Sequence, residues 1–133
     1  MDQTLNHALE ATSKQVTACL AGLAPDHWDA KPLPPIGSPR EIVHHLCDAY
    51  CAVVAQAEGK EYEWGSFALP AGADPCAVWR EERNKAVKAL AGADAATSLG
   101  LDYIALHDAY HVGQLCAVRL ALDPEWDSYS IYR

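Results

Sequence analysis

The sequence predicts an all-α fold, a four-helix bundle, on three observations. Four segments carry apolar side chains at helical spacing. Prolines and small polar residues stand where those segments begin. No stretch alternates with period two for long enough to make a strand. With 133 residues the chain reads as one domain, residues 1–133, large enough to bury a core without covalent staples. Half of its residues are hydrophobic and 21% are charged, a composition that excludes a disordered or collagen-like chain.

The first helix is predicted from about Asp2 to Gly22, with Leu5, Leu9, Thr12, Val16, Cys19 and Leu23 on one stripe and Pro25 beyond its end. The second starts in "SPREIVHHL": Ser38 is an N-cap, Pro39 a favoured first helical residue, and Glu41 the reciprocal member of a capping box. It continues to about Ala57. Asp74 caps the third helix, "DPCAVWREERNKAVKALAG", with Pro75 behind it and Cys76, Trp79, Ala86, Val87 and Leu90 as its stripe. The fourth begins near Thr97 or Ser98 and stops at "LDP", ahead of a tail "EWDSYSIYR" whose Trp126, Tyr129 and Tyr132 are expected to dock on the bundle. The connection "EGKEYEWGSFALPAGA" exceeds the roughly 2–8 residues usual between antiparallel neighbours, so it is expected to cross the end of the bundle.

A formal net charge of -8, with no clusters of lysine or arginine, excludes a broad nucleic-acid surface, and no DNA contact is expected. The opening "MDQTLNHALEATSKQ" is too polar and acidic for a signal peptide, and no apolar run approaches the ~18 residues of a membrane span. A soluble, cytoplasmic protein without membrane contact is therefore expected. Five cysteines in such a chain, Cys19, Cys47, Cys51, Cys76 and Cys116, read as reduced thiols.

The histidines carry the chemistry. At ~100° per residue, Ile42, His45, Leu46, Ala49 and Val53 share the inward stripe of the second helix, and His44 points the opposite way. In "HDAYHVGQL" the same arithmetic groups Ile104, His107, Asp108, His111, Leu115, Val118 and Leu122. Imidazoles left unpartnered inside a protein cost about 1–3 kcal/mol each, whereas one divalent ion satisfies several at ~2.1 Å. His45, His107 and His111 are therefore the expected metal ligands. Three neutral nitrogen donors suit zinc or nickel and leave a coordination position open for water or substrate, as catalytic sites do.

"HDAYH" invites comparison with the zinc-protease pattern HExxH, but Asp108 is one methylene shorter than the glutamate and no third ligand follows downstream. Asp108 is the candidate catalytic residue, orienting a water or fixing the tautomer of His107, with a bundle-packing role as its alternative; Gln114 is placed to support His111. His44, Cys47 and Cys51 share a face at spacings that a thiolate-rich metal site would also use. The simpler reading groups Cys47, Tyr50, Cys51 and Val54 as a second apolar face, from which a homodimer is expected. Tyr62, Trp64 and Phe67 in the long loop are either surface packing or a lid over the metal.

"SPREIVHHLCDAY", followed some sixty residues later by "HDAYHVGQL", resembles the DinB/YfiT-like family of small metal-binding helical bundles. The likeness runs from "LAPDHWDAKPLPPIGSPREIVHHL" through "EWDSYSIYR", and its specific part is His45 before leucine together with His107 and His111 ahead of "VGQL". The resemblance implies an up-down-down-up bundle, a divalent metal on those three histidines and a tendency to dimerise. It also implies thiol chemistry, since related members include mycothiol- and bacillithiol-dependent S-transferases and isomerases. The expectation is thus a metal-dependent enzyme that activates a low-molecular-weight thiol toward an electrophilic small molecule. A hydrolase using metal-bound water, or a non-catalytic metal-binding protein of DNA-damage or other stress responses, are its alternatives.

Overall fold

The computed structural model describes residues 1–133 and is helical throughout. Helix α1 spans Gln3–Leu20, with the Asp2 carboxylate accepting from the Thr4 and Leu5 amides, and it ends where Ala21 turns extended and Gly22 takes a φ of 68°. Helix α2 spans Pro39–Ala57. The capping box at its start is complete: Ser38 Oγ accepts from the Glu41 amide at 3.1 Å and Glu41 Oε1 accepts from the Ser38 amide at 3.5 Å. Helix α3 spans Pro75–Leu90, capped by Asp74, which accepts from the Cys76 amide at 3.0 Å.

Residues 96–122 form the last helix, α4, with an interruption the periodicity did not predict. Its first turn, Ala96–Gly100, passes into a π-helical stretch, Leu101–Ala105, before regular α-helix resumes over Leu106–Leu122. The extra residue is visible in the burial pattern, where Leu99 and Gly100 are followed five positions on by Ile104 and Ala105, all buried. Such π turns are local insertions that recur beside functional sites, and here the turn ends two residues before His107. No helix is long and apolar enough to cross a membrane.

Leu5, Val16, Val43, Leu46, Tyr50, Val53, Leu90, Ile104 and Leu115 are among the apolar side chains of the core. At the centre a buried polar network ties all four helices. Asp108 Oδ2 accepts from Arg83 Nε at 2.9 Å and Asp108 Oδ1 from Tyr50 Oη at 2.5 Å. Trp79 Nε1 donates to Tyr50 Oη at 3.0 Å, while Arg83 Nη2 donates to the Leu9 carbonyl and to Thr12 Oγ1. A buried pair of charges is tolerated when every remaining hydrogen-bonding position is filled, and here Arg83 and Asp108 fill theirs from neighbouring helices.

Two expectations about packing change in detail. The buried side of α2 is broader than the expected stripe: Ile42, Leu46, Ala49 and Val53 are buried as expected, and Val43, Cys47 and Tyr50, each 0% exposed, are buried beside them where α3 packs. Cys51, for example, donates to Glu82 of α3 at 3.6 Å. Of the second apolar face, Cys47 and Tyr50 are thus buried within the chain, while Cys51 and Val54 are half-buried. In the tail Trp126 and Ile131 pack against the core, whereas Tyr129 and Tyr132 are 70% and 73% exposed. Tail docking rests on Trp126, which Arg119 covers at 4.9 Å.

Candidate metal centre

His45 stands in the second turn of α2, and His107 and His111 lie one turn apart on α4 just past the π turn. The structure brings all three together. His45 Nε2 is 3.1 Å from His107 Nε2, and His107 Nε2 is 3.2 Å from His111 Nε2. The rings meet edge to face, with centroids 4.6 to 4.9 Å apart, so the nitrogens point at a common space while the rings do not stack. One part of the expected geometry changes. His45 is exposed rather than inward, His107 is half-buried and His111 is buried, which places the trio at the surface end of a core-to-solvent gradient. His45 lies at the margin of the α2 stripe, on the side away from Val43, Cys47 and Tyr50, and is left outside the core.

Proton bookkeeping tests whether these rings fit an ion. Gln114 Oε1 is 2.7 Å from His111 Nδ1; a carbonyl oxygen only accepts, so Nδ1 carries the hydrogen and His111 Nε2 is bare. His107 Nε2 can then donate to His111 or accept from His45, and one nitrogen cannot do both. At least one of the two short contacts therefore sets nitrogens together without a hydrogen bond between them. His107 Nδ1 is buried with no partner of its own. The trio thus lacks the ordinary polar neighbours that would account for it. An ion ~2.1 Å from each nitrogen separates the nitrogens by about 3.0–3.4 Å, from right-angled to tetrahedral coordination; the two contacts of His107 fall in that interval, and all three ligand atoms lie within 4.8 Å of one another.

Electrostatics keeps the rings of His107 and His111 neutral and available. Burial, followed by the neighbouring rings of His111 and His45, pushes His107 down to about 4. Burial likewise lowers His111, against the upward pull of its bond to Gln114. Neutral imidazole is the ligand form, and protons compete poorly for these nitrogens at neutral pH.

Asp108, the residue expected to serve as a base or to fix the His107 tautomer, is not brought to the trio. It is 0% exposed, and both its oxygens are engaged by Tyr50 and Arg83. It turns inward while its neighbour His107 turns to the site. Burial raises its carboxyl, against the pull of the Arg83 guanidinium. The alternative packing role is where the geometry puts it. Gln114 does contact His111, as its one-turn spacing suggested. His44 leans on Phe67, with ring centroids 5.5 Å apart, and takes no part in a cluster with Cys47 and Cys51.

Asp48 was not foreseen as a site residue. It is 5% exposed and accepts from Tyr62 Oη at 2.5 Å, the Gly65 amide at 2.9 Å and the Phe67 amide at 3.2 Å. These bonds strap the aromatic loop onto α2. Trp64 then stacks on Tyr103 of the π turn at 6.1 Å, so the loop bridges α2 and α4. The signal was present in the sequence: an aspartate one turn past His45, facing a loop rich in glycine and aromatics.

None of the five main surface clefts is lined by any of the three histidines. Tyr110, 65% exposed, lies against His111 with ring centroids 5.0 Å apart. Comparison of the chain with family models, curated proteins and solved structures gives no match.

Proposed function

We propose that the protein is a divalent-metal-dependent enzyme of the DinB/YfiT-like kind, a thiol S-transferase acting on a small electrophile, with His45, His107 and His111 as the metal ligands. The observation that carries the reading is the convergence of three Nε2 atoms, of whose two short contacts at most one can be a hydrogen bond. Zinc or nickel is the proposed ion, as the imidazole donor set favours late first-row metals. When bound, such an ion supplies Lewis acidity that turns a thiol into its nucleophilic thiolate near neutral pH. The chain's own residues do the rest. Gln114 holds the bare nitrogen of His111 toward the site, the Asp48-strapped loop is fixed to α4 through Trp64, and Tyr110 beside His111 offers an apolar surface to the electrophile.

The hydrolase alternative has less to draw on, because Asp108, its one candidate base, is spent in the ion pair with Arg83. The family's up-down-down-up topology is supported by the order of contacts. α1 meets α4 in the same order, Leu5 against Gly100 and Cys19 against Cys116. It meets α3 in the reverse order, Leu9 with Arg83 and Leu20 beside Cys76. α2 meets α3 in the same order, Tyr50 with Trp79 and Cys51 with Glu82.

The test is turnover. Protein loaded with zinc or nickel is offered bacillithiol, mycothiol or glutathione together with monochlorobimane. Fluorescent conjugate is expected to form above the uncatalysed rate with at least one thiol, and His111→Ala is expected to abolish the excess. Background rates with every thiol would remove the transferase reading. Elemental analysis of untagged protein separates that result from failure of the site itself: stoichiometric metal, lost in His107→Ala, with no turnover leaves a non-catalytic metal-binding protein.

A further inference from the structure

A second group of reactive side chains lies away from the histidine trio. Cys19 of α1 and Cys116 of α4 have their sulfurs 3.8 Å apart, in van der Waals contact. Cys19 is 1% exposed and Cys116 is half-buried, so one thiol of the pair meets solvent and the other waits behind it. Cys19 is next to last in α1, followed by the extended Ala21 and by Gly22 with its φ of 68°. A sulfur at a helix end can approach its partner by a small shift of the last turn, whereas one in mid-helix would have to drag the helix. Arg119 lies one turn beyond Cys116, donates through Nη1 to the Cys19 carbonyl at 2.7 Å and is held over the Trp126 ring. A fixed positive charge therefore lies beside the pair; at Cys19 it pulls against burial and the neighbouring Cys116 sulfur, which together raise that thiol well above its ordinary range.

We propose that Cys19 and Cys116 are an oxidation-sensitive pair, which closes to an intramolecular disulfide joining the first and last helices when the protein meets hydrogen peroxide. The half-exposed Cys116 reacts first. Its thiolate sulfur attacks one peroxide oxygen and the O–O bond breaks; the sulfur becomes a sulfenic acid and the departing hydroxide takes up a proton to leave as water. The Cys19 sulfur then attacks the Cys116 sulfur, the S–O bond breaks, and the hydroxide leaves with the Cys19 proton as a second water. Two thiols are oxidised to one disulfide and one peroxide is reduced to two waters. The bond ties residues 97 apart in sequence, a long loop whose closure restricts the unfolded chain strongly.

The test treats the purified full-length protein with hydrogen peroxide, blocks remaining thiols, and maps peptides by mass spectrometry without reduction. The expected result is a peptide pair joining Cys19 to Cys116, a monomer that migrates faster on a non-reducing gel, and a thermal midpoint raised by several degrees that dithiothreitol reverses. Cys116→Ser, at the half-exposed position, is expected to keep the helical circular dichroism of the parent and to lose both the cross-link and the shift. The proposal is overturned by sulfinic or sulfonic acid at Cys116 with no cross-link, by a cross-link between any other cysteines, or by a disulfide between two molecules. Peptide mapping of the unaltered protein tests the pairing by itself, so poor folding of the variant would not change the result.

Discussion

At the scale of single residues, adjacent positions in the same helix do opposite work. His107 points to the trio and Asp108 to the core, where it anchors a network from Trp79 to Thr12. One residue is ~100° of helix turn, which suffices to separate a ligand from a structural charge. Gln114 is the residue whose role is most open to measurement, because its amide oxygen decides which nitrogen of His111 is bare. Replacing it with leucine removes that constraint while keeping the volume. Gln114→Leu is expected to weaken zinc binding by about 10–100-fold, the usual effect of losing a partner behind a metal-bound histidine, with unchanged helical content. Competition against a chromophoric chelator measures it. Affinity equal to the parent protein's would mean that the amide does not set the tautomer.

At the scale of elements, the starts of the helices were plain in the sequence and the middle of the last one was not. Ser38 with Glu41, Asp74 with Pro75, and the apolar stripes all report local chemistry that acts within a few residues. The π turn at Leu101–Ala105 has no such local mark, since it answers to where α1 and α3 press on α4. His45 was misjudged for the same reason. Periodicity places a side chain on a helix face, but which arc of that face is buried depends on the neighbour that covers it. The histidine trio itself was legible, because residue type, spacing and the family resemblance all single out His45, His107 and His111, which the fold brings within 4.8 Å of one another. The central network was half legible: Arg83 falls on the α3 core stripe and calls for a buried acid, but only packing pairs it with Asp108.

The π turn begins at a close contact that makes its own prediction. A methyl added to Gly100 would lie 3.0 Å from both terminal carbons of Leu5 and 3.1 Å from Leu90 Cδ1. The glycine sits where α1, α3 and α4 meet, and alanine's better helix propensity is opposed by overpacking. Gly100→Ala is expected to destabilise the fold by about 1–3 kcal/mol, read as a lower urea midpoint with an unchanged slope. A variant as stable as the parent, or more so, would show that Leu5 and Leu90 yield at no cost and that propensity decides.

At the scale of the whole molecule, eighteen acidic residues against ten basic ones mean that acidification changes almost every charge, and one carboxylate must be isolated by difference. Asp48 is the one to isolate, since its three bonds join α2 to the long loop and, through Trp64, to α4. Burial alone would raise its carboxyl, but the bonds from Tyr62, Gly65 and Phe67 outweigh it and hold the group below the ordinary carboxylate range. The sign follows. A carboxyl of lower pKa in the folded state favours folding at every pH above its unfolded value, about 3.9, and that contribution fades as pH falls through the folded value. Asp48→Asn keeps an acceptor for Tyr62 and Phe67 but turns an N–H toward the Gly65 amide, a loss expected to cost about 1–3 kcal/mol near neutral pH. Urea unfolding of both proteins at pH 7 and near pH 3, in chelator so that the histidine site contributes equally, gives the difference directly. The gap is expected to be wide at pH 7 and narrower near pH 3, because the unfolded aspartate protonates below about 3.9 and the advantage of the folded carboxylate fades as pH falls toward its lowered folded value. A gap of the same size at both pH values would mean that the loop is held by its aromatic contacts and that the carboxylate beneath it is incidental.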